Sequence, residues 1–347
     1  MYVMTVTGPI DAAALGVTLP HEHLFLDLRN QFTEPDDPVM KQRSREPLSL
    51  KNVDVVRANP YAIRDNLLLD EFELAVEEVM YFKAAGGQSI VECTSIGIHR
   101  EPAKLRALAE RTGLNIVAGC GHYTQDTHPA EMQTWTPGEI AEQIIGDMTV
   151  GIDGTDVKAG VIGEIGTSFP LHPNEQKALE AAALAHKQTG AAIQIHTYPW
   201  GQVGLEAADL LLKQDVDPAK IVICHTDVQI DLNYIRTLLR RGVFVEFDNF
   251  GKEFVIEPDG RGFAGGSFDR DTQRIAAIKV LTDEGFAKQL LLTNDICLKG
   301  MLHRFGGLGY DHILRNIVPL MLGSDIDQAT IDGFLQDNPR RLYGMQE

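Results

Sequence analysis

Cysteine is scarce. Four occur in 347 residues, at Cys93, Cys120, Cys224 and Cys297. Their scattered spacing excludes a disulfide-stapled secreted scaffold and fits a reducing compartment. Positive charge is also short, with 31 Lys and Arg against 49 Asp and Glu and a formal net charge of -18. Nucleic acid and anionic membrane surfaces would both be repelled, so neither is expected as a partner. An anionic small substrate would need a local basic pocket. No apolar run approaches the length of a bilayer span. Residues 1–16 carry no basic stretch followed by an apolar core, so no secretory leader is read and a cytoplasmic location is expected. What is present is ordinary globular material, 44% apolar and 23% charged. The length allows two average domains or one α/β barrel with insertions.

From Asp70 onward the chain alternates between helical and strand patterns. Apolar residues at Phe72, Ala75, Val76, Val79, Met80 and Phe82 have helical spacing, and Gly86-Gly87 stops the run. Strands are predicted near 89–94, 115–119, 159–165, 192–196, 221–225, 243–247 and 290–293, with helices between them. Thr136-Pro137 with Glu139 has the form of a capped helix start. With a strand at Val17, the pattern gives eight strands, each followed by a helix. That rhythm, without a composition break, predicts an α/β fold: a single (β/α)8 TIM barrel over 1–347. An open Rossmann-like sheet is the rival, but no Gly-rich phosphate turn follows an early strand. Links from helix to strand are short, and the long segments 24–64, 249–269 and 296–311 follow strands. In a barrel those long loops lie on the C-terminal face, where active sites sit. Tyr2 to Thr7 alternates like a strand, and Gly8-Pro9 is expected to turn it toward Gly16 to Pro20 as a short N-terminal β-hairpin. The polar stretch 29–64 reads as a loop insertion.

Chemistry-bearing residues collect at the strand ends. His21 and His23 flank Glu22 and leave the same face of a strand. Glu164, His196, His225 and Asp295 each fall where a later strand finishes. Taken singly, each has a plainer alternative: a core histidine bonded to backbone for His196, a helix cap for Asp295. Six such residues at matching positions of five strands are hard to explain separately. Neutral imidazole and carboxylate together are transition-metal ligands.

The segments Leu19-Pro20-His21-Glu22-His23, Gly163-Glu164-Ile165-Gly166, Ile195-His196-Thr197, Cys224-His225-Thr226-Asp227 and Asn294-Asp295 resemble the phosphotriesterase-related branch of the amidohydrolase superfamily, from Thr5 to Asn338-Pro339. The resemblance implies two divalent metal ions in the barrel mouth, usually zinc. His21, His23 and Asp295 would hold the buried ion and His196 and His225 the more exposed one, with a carboxylate bridging. Members that degrade organophosphates use a carbamylated lysine as the bridge. Ungapped alignment puts that lysine at Gly163, one residue before Glu164. Since a one-residue slip turns a strand side chain to the other face, Glu164 can bridge only across a local bulge at Gly163. Lys158 lies too far toward the strand start.

Two cations about 3.5–4 Å apart can share a hydroxide that attacks at neutral pH. Asp295 is then the natural proton acceptor, and so the catalytic residue. The implied activity is hydrolysis of a lactone, carboxylic ester or amide. Phosphotriester hydrolysis and metal binding without turnover are the alternatives. Asp227 is expected to orient His225 or a neighbouring group, or else to be a solvated loop residue. Tyr123 and Lys252 are read as substrate-binding residues. Asn249 stands where lactonase relatives carry an arginine. Arg261, His303 and Arg304 are further candidates for gripping an anion, and Trp200 for lining the pocket. Gly260, Gly262, Gly265 and Gly266 suggest a seventh loop able to move as a lid. A small-molecule substrate is the expected partner, and a homodimer is left open.

Overall fold

The computed structural model describes residues 1–254 and 265–346. Gly260, Arg261 and Gly262 of the seventh loop lie outside the described residues.

The chain opens with strand β1 (Tyr2–Thr5), paired antiparallel with β2 (Gly8–Asp11) in the register Tyr2↔Asp11 to Thr5↔Gly8. The expected hairpin exists, but its second strand is 8–11, not 16–20. Only Val6 and Thr7 separate the strands. Gly8 takes φ +116, and Thr5 Oγ1 donates to Gly8 O at 2.6 Å, so the chain reverses at once. The stretch from Gly16 is thereby free to enter the barrel as β3 (Thr18–Glu22).

After β3, β4 (Leu26–Asp27) pairs with β5 (Leu68–Leu69) and encloses the 29–64 insertion. That insertion carries helices α1 (Pro38–Arg43) and α2 (Val53–Ala58). Leu48, Val55, Val56, Ala62 and Ile63 give it a small apolar core of its own. The regular alternation then runs α3 (Phe72–Ala84), β6 (Ser89–Glu92), α4 (Pro102–Thr112) and β7 (Asn115–Cys120). It continues with α5 (Pro137–Thr149), β8 (Val161–Thr167), α6 (Pro173–Thr189), β9 (Ile193–Thr197) and α7 (Val203–Lys213). Last come β10 (Ile221–Ile223), α8 (Leu232–Leu239), β11 (Phe244–Phe247), α9 (Asp271–Asp283) and β12 (Leu290–Leu292), followed by short helical segments. The Thr136–Glu139 capping box forms as read. Among the described residues, no helix is long and apolar enough to cross a membrane.

The eight strands form one parallel sheet in the order β3-β6-β7-β8-β9-β10-β11-β12, a TIM barrel. Strand alternation divides the apolar residues into two sets. Val91, Val117, Val161, Ala192, Val222, Phe244 and Leu291 pack with Val3, Leu15, Leu342 and Tyr343. The N-terminal hairpin segment and the last helix thus plug the barrel floor. Ile90, Ile116, Ile162, Ile193, Ile221 and Leu290 belong to the larger cluster shared with the helices.

The sheet is continuous except at one seam. No backbone ladder joins β12 to β3 among the described residues. Side chains bridge it instead: Thr293 Oγ1 meets His21 O at 2.9 Å and Glu22 Oε1 at 2.6 Å.

Candidate metal centre

Strand geometry delivers the first two imidazoles. His21 in β3 and His23 just past its end leave the chain on one face, and their rings meet edge to face with centroids 5.4 Å apart. Opposite them, β8 is irregular where Glu164 sits. Cys120 faces both Ile162 and Gly163, and the register with β9 shifts between Ile162 and Ile165. Gly163 takes φ +138. A Cβ there would lie 2.4 Å from Gln194 O, so β9 leaves no room for a side chain. The displacement turns Glu164 into the barrel mouth.

Glu164 is buried and divides its two oxygens. Oε1 faces His23 Nε2 at 3.4 Å. Oε2 lies 3.5 Å from His21 Nε2, 3.2 Å from His196 Nδ1 and 3.6 Å from His225 Nε2. His225 Nε2 and His196 Nδ1 are 2.9 Å apart. Asp295 Oδ1 stands 3.2 Å from His23 Nε2 and 3.8 Å from His21 Nε2. All six residues named from the strand ends therefore meet in one buried cluster.

Neighbouring acceptors set the histidine tautomers. His21 Nδ1 donates to Glu246 Oε2 at 3.0 Å. Thr94 Oγ1 donates to Glu92 Oε1 at 2.5 Å, so it accepts from His23 Nδ1 at 2.9 Å. Asp248 accepts the His225 backbone N–H at 2.8 Å and Nδ1 at 3.1 Å. Each of the three rings then turns its Nε2 inward. That of His21 is fully buried and has no hydrogen-bond partner among the described residues. An orphaned imidazole nitrogen backed by a carboxylate is the arrangement of a metal ligand. Two triads, His21/His23/Asp295 and His21/Glu164/His225, bring their donor atoms within 4.8 Å of one another. The donor set fits a pair of divalent cations.

The cluster's electrostatics favour added positive charge. Burial pushes His21 down, but Glu164, Glu246 and Asp295 outweigh it and raise the ring to about 9. Burial opposes ionisation of Glu164, yet His21, His196 and His225 hold it well below the usual carboxylate range. Burial, with Asp227 and Glu246 beside it, lifts Asp248 to about 7 against the pull of His225. Metal binding would displace the protons such a site holds.

The remaining candidates separate clearly. Tyr123 is buried with its hydroxyl 3.3 Å from His196 Nδ1, and burial beside Glu164 and Asp295 raises its pKa well above normal, keeping it a proton donor. Lys252 is buried, donates to Asp295 Oδ2 and lines the same cavity. Asn249 also lines it, but its amide is tied back to Asp227 at 2.7 Å and to Asp248 at 2.5 Å. Asp227 is fully buried rather than solvated, bonded to Asn249 and to Arg274 Nε at 2.8 Å. It orients Asn249, and the carboxylate on His225 is Asp248. His303 and Arg304 are absent from the cavity lining: they bind Asp311 at 2.6 Å and Glu77 at 2.6 Å. Trp200 stacks edge-on to Phe268 outside the lining, with Gly265 and Gly266 packed closely against it. Lys158 precedes β8, at the end away from Glu164.

Sequence reasoning missed Glu246 and Asp248. Their signal was the alternation Phe244-Val245-Glu246-Phe247-Asp248, which puts two carboxylates on one face of a strand otherwise apolar.

The cavity above the cluster has Leu26, Leu28, Tyr61, Ile98, Phe268 and Cys297 as its less polar wall. The phosphotriesterase family model matches residues 1–343. The chain belongs to the phosphotriesterase family. It is a hydrolase, as that membership implies. It is 37% identical over 344 residues to the N-acetyltaurine hydrolase of Rattus norvegicus, covering 98% of this chain and 97% of the relative. Among solved structures, a resiniferatoxin-binding protein from Rhodobacter sphaeroides superposes with a TM-score of 0.95 at 35% identity, covering 99% and 94% of the two chains. The phosphotriesterase homology protein of Escherichia coli, solved with phosphate in its active site, gives a TM-score of 0.79 at 30% identity, covering 95% and 99%.

Proposed function

We propose that this member of the phosphotriesterase family is a zinc-dependent amide hydrolase acting on a small N-acyl amino acid or N-acyl aminosulfonate. The observation that carries the metal-dependent part is Glu164, with Oε1 toward His23 and Oε2 toward His21, His196 and His225. Identity of 37% to an N-acetyltaurine hydrolase over nearly the whole chain supports the bond type.

His21, His23 and Asp295 would hold one ion and His196 and His225 the other, with Glu164 serving both. Two bound divalent cations supply an activated water and polarise the acceptor oxygen. The chain's own groups do the rest. Asp295 receives the proton of the attacking water and passes it to the departing amine, without which an amide nitrogen is a poor leaving group. Lys252 on Asp295 Oδ2 keeps that carboxylate ionised against the burial that opposes it. Tyr123 donates its hydroxyl to the oxygen that gains charge at the tetrahedral carbon. The wall of Leu26, Leu28, Ile98 and Phe268 takes the acyl group and excludes water. Among the described lining residues, Lys252 supplies the positive charge that faces the substrate's acid group.

The test is amine release from N-acetyltaurine and a panel of N-acetyl amino acids, with lactones and aryl esters alongside. Release should stop with a chelator and return with Zn2+. Turnover of lactones or esters with no amine release from any amide would defeat the amide reading. Turnover indifferent to chelator would defeat the metal reading.

A further inference from the structure

Glu22 stands between two metal-ligand candidates yet points away from them, since neighbouring strand residues take opposite faces. It is fully buried, and no basic side chain contacts it among the described residues. A lone buried carboxylate is costly unless its oxygens are filled. Here every partner comes from the other side of the β3–β12 seam. Oε1 accepts from Thr293 Oγ1 at 2.6 Å, from Asn294 N at 2.9 Å and from Asn294 Nδ2 at 3.1 Å. Oε2 accepts from Ile296 N at 2.7 Å. The two backbone donors are the amides on either side of Asp295.

Asp295 needs that support. It adopts φ +47, a left-handed conformation that side-chain-bearing residues seldom take unless the surroundings impose it. No strand ladder fixes this stretch to β3 among the described residues. The carboxylate of Glu22 stands where ladder bonds would otherwise be.

We propose that Glu22 is a positioning residue: by gripping the amides that bracket Asp295, it holds that carboxylate against His21 and His23 across the open seam. The inference rests on the proposed function only in treating Asp295 as a metal ligand. Its structural half is independent of metal.

Glu22→Gln keeps the shape but replaces one acceptor oxygen with an NH2 group that cannot accept from a backbone amide. In metal-free protein, hydrogen exchange at Asn294 or Ile296 should quicken at least about tenfold, while core amides of β9 stay protected. Titration with Zn2+ alone should show affinity weakened about tenfold or more for one of two ions. Ile152→Val, a buried core change in the link between α5 and β8, serves as a control for general destabilisation and should leave Zn2+ affinity unchanged. If Glu22→Gln does not fold, Thr293→Val removes one donor, and about threefold weaker Zn2+ binding is expected. Unchanged exchange at both amides, or a Zn2+ loss no larger than in Ile152→Val, overturns the proposal. So does wild-type affinity in Thr293→Val. Wild-type protein that binds no Zn2+ would instead overturn the proposed function, and the exchange measurement would still decide the role of Glu22.

Discussion

Adding one methyl group at Gly163 should disturb both the barrel and its proposed metal centre. The Cβ of Gly163→Ala would lie 2.4 Å from Gln194 O and 2.9 Å from Gln194 Cβ. Gln194 has little freedom to withdraw, because its side-chain nitrogen is bonded to Pro20 O and to Glu246 Oε1, both at 3.0 Å. The residue would also have to keep φ +138, a region that L residues rarely adopt. The backbone conformation costs about 1–3 kcal/mol, and forced overpacking adds about 1–3 kcal/mol. Taking the middle of the combined range, about 4 kcal/mol, an unfolding entropy near 2.1 cal/mol/K per residue converts it to a fall of about 5 °C in Tm for 347 residues. Gly190→Ala is the matched control: its φ is +71, but nothing lies within 4 Å of the added carbon. It should cost only about 1 kcal/mol. Urea unfolding of the two variants, with zinc content measured on the same preparations, separates steric from conformational strain. Gly163→Ala should bind less metal as well, since any retreat of β8 carries Glu164 with it. Equal stability for the two variants, together with full zinc content in Gly163→Ala, would refute the reasoning.

Other outcomes follow from the same geometry. Asp248→Asn replaces one of the two oxygens that accept from His225 with an NH2 group and should weaken zinc binding about 10–100-fold, measured by chelator competition. Tyr123→Phe should lower kcat on the best amide about a hundredfold with little change in KM, as loss of an oxyanion donor does. For the wild type, kcat/KM on that carbonyl substrate should exceed that on paraoxon by about a hundredfold or more, about 2.7 kcal/mol of transition-state stabilisation. A better rate on paraoxon would return phosphotriester hydrolysis to first place. His122 titrates low, at about 4, because burial penalises its charged form, and His128 and Arg100 reinforce the penalty. Its folded pKa lies below its unfolded one, so its contribution is complete above about pH 6.5 and is lost as the pH falls toward 4. Between pH 7 and pH 5 wild type should lose about 2 kcal/mol that His122→Gln does not, read from urea midpoints.

The parts of this molecule written in local spacing were legible. Apolar patterning placed the barrel strands to within a few residues, and alternation put His21 and His23 on one face. The bulge at Gly163 was inferred from the one-residue offset between Glu164 and the position the family's bridging lysine takes, since a slip of one turns a strand side chain to the other face. What escaped depends on contacts between distant segments. The hairpin partner was misjudged because the Gly8 turn acts within two residues, a distance at which periodicity carries no information. His303 and Arg304 looked like anion ligands, but loop eight folds over α3, where their backbone amides cap Glu78, each at 2.9 Å. Lys252 was visible as a loop cation, but its burial against Asp295 was not. Asp248 and Asp227 are two acids of the same kind, and only the tertiary arrangement shows which one touches His225.

The seam between β3 and β12 has a kinetic consequence. The Thr293–His21 contact that spans it joins residues 272 apart in sequence. Closing a loop of that length costs about 5 kcal/mol of chain entropy beyond a constant. Contacts of such separation are slow to form, because the closure entropy must be met before the contact repays it. His21 and His23 lie on one bank and Asp295 on the other, so a barrel assembled from β6 to β12 but not yet joined to β3 has no complete ligand set. The proposed centre is therefore expected among the last features the chain acquires, and a transient parting at this seam would separate its ligands first.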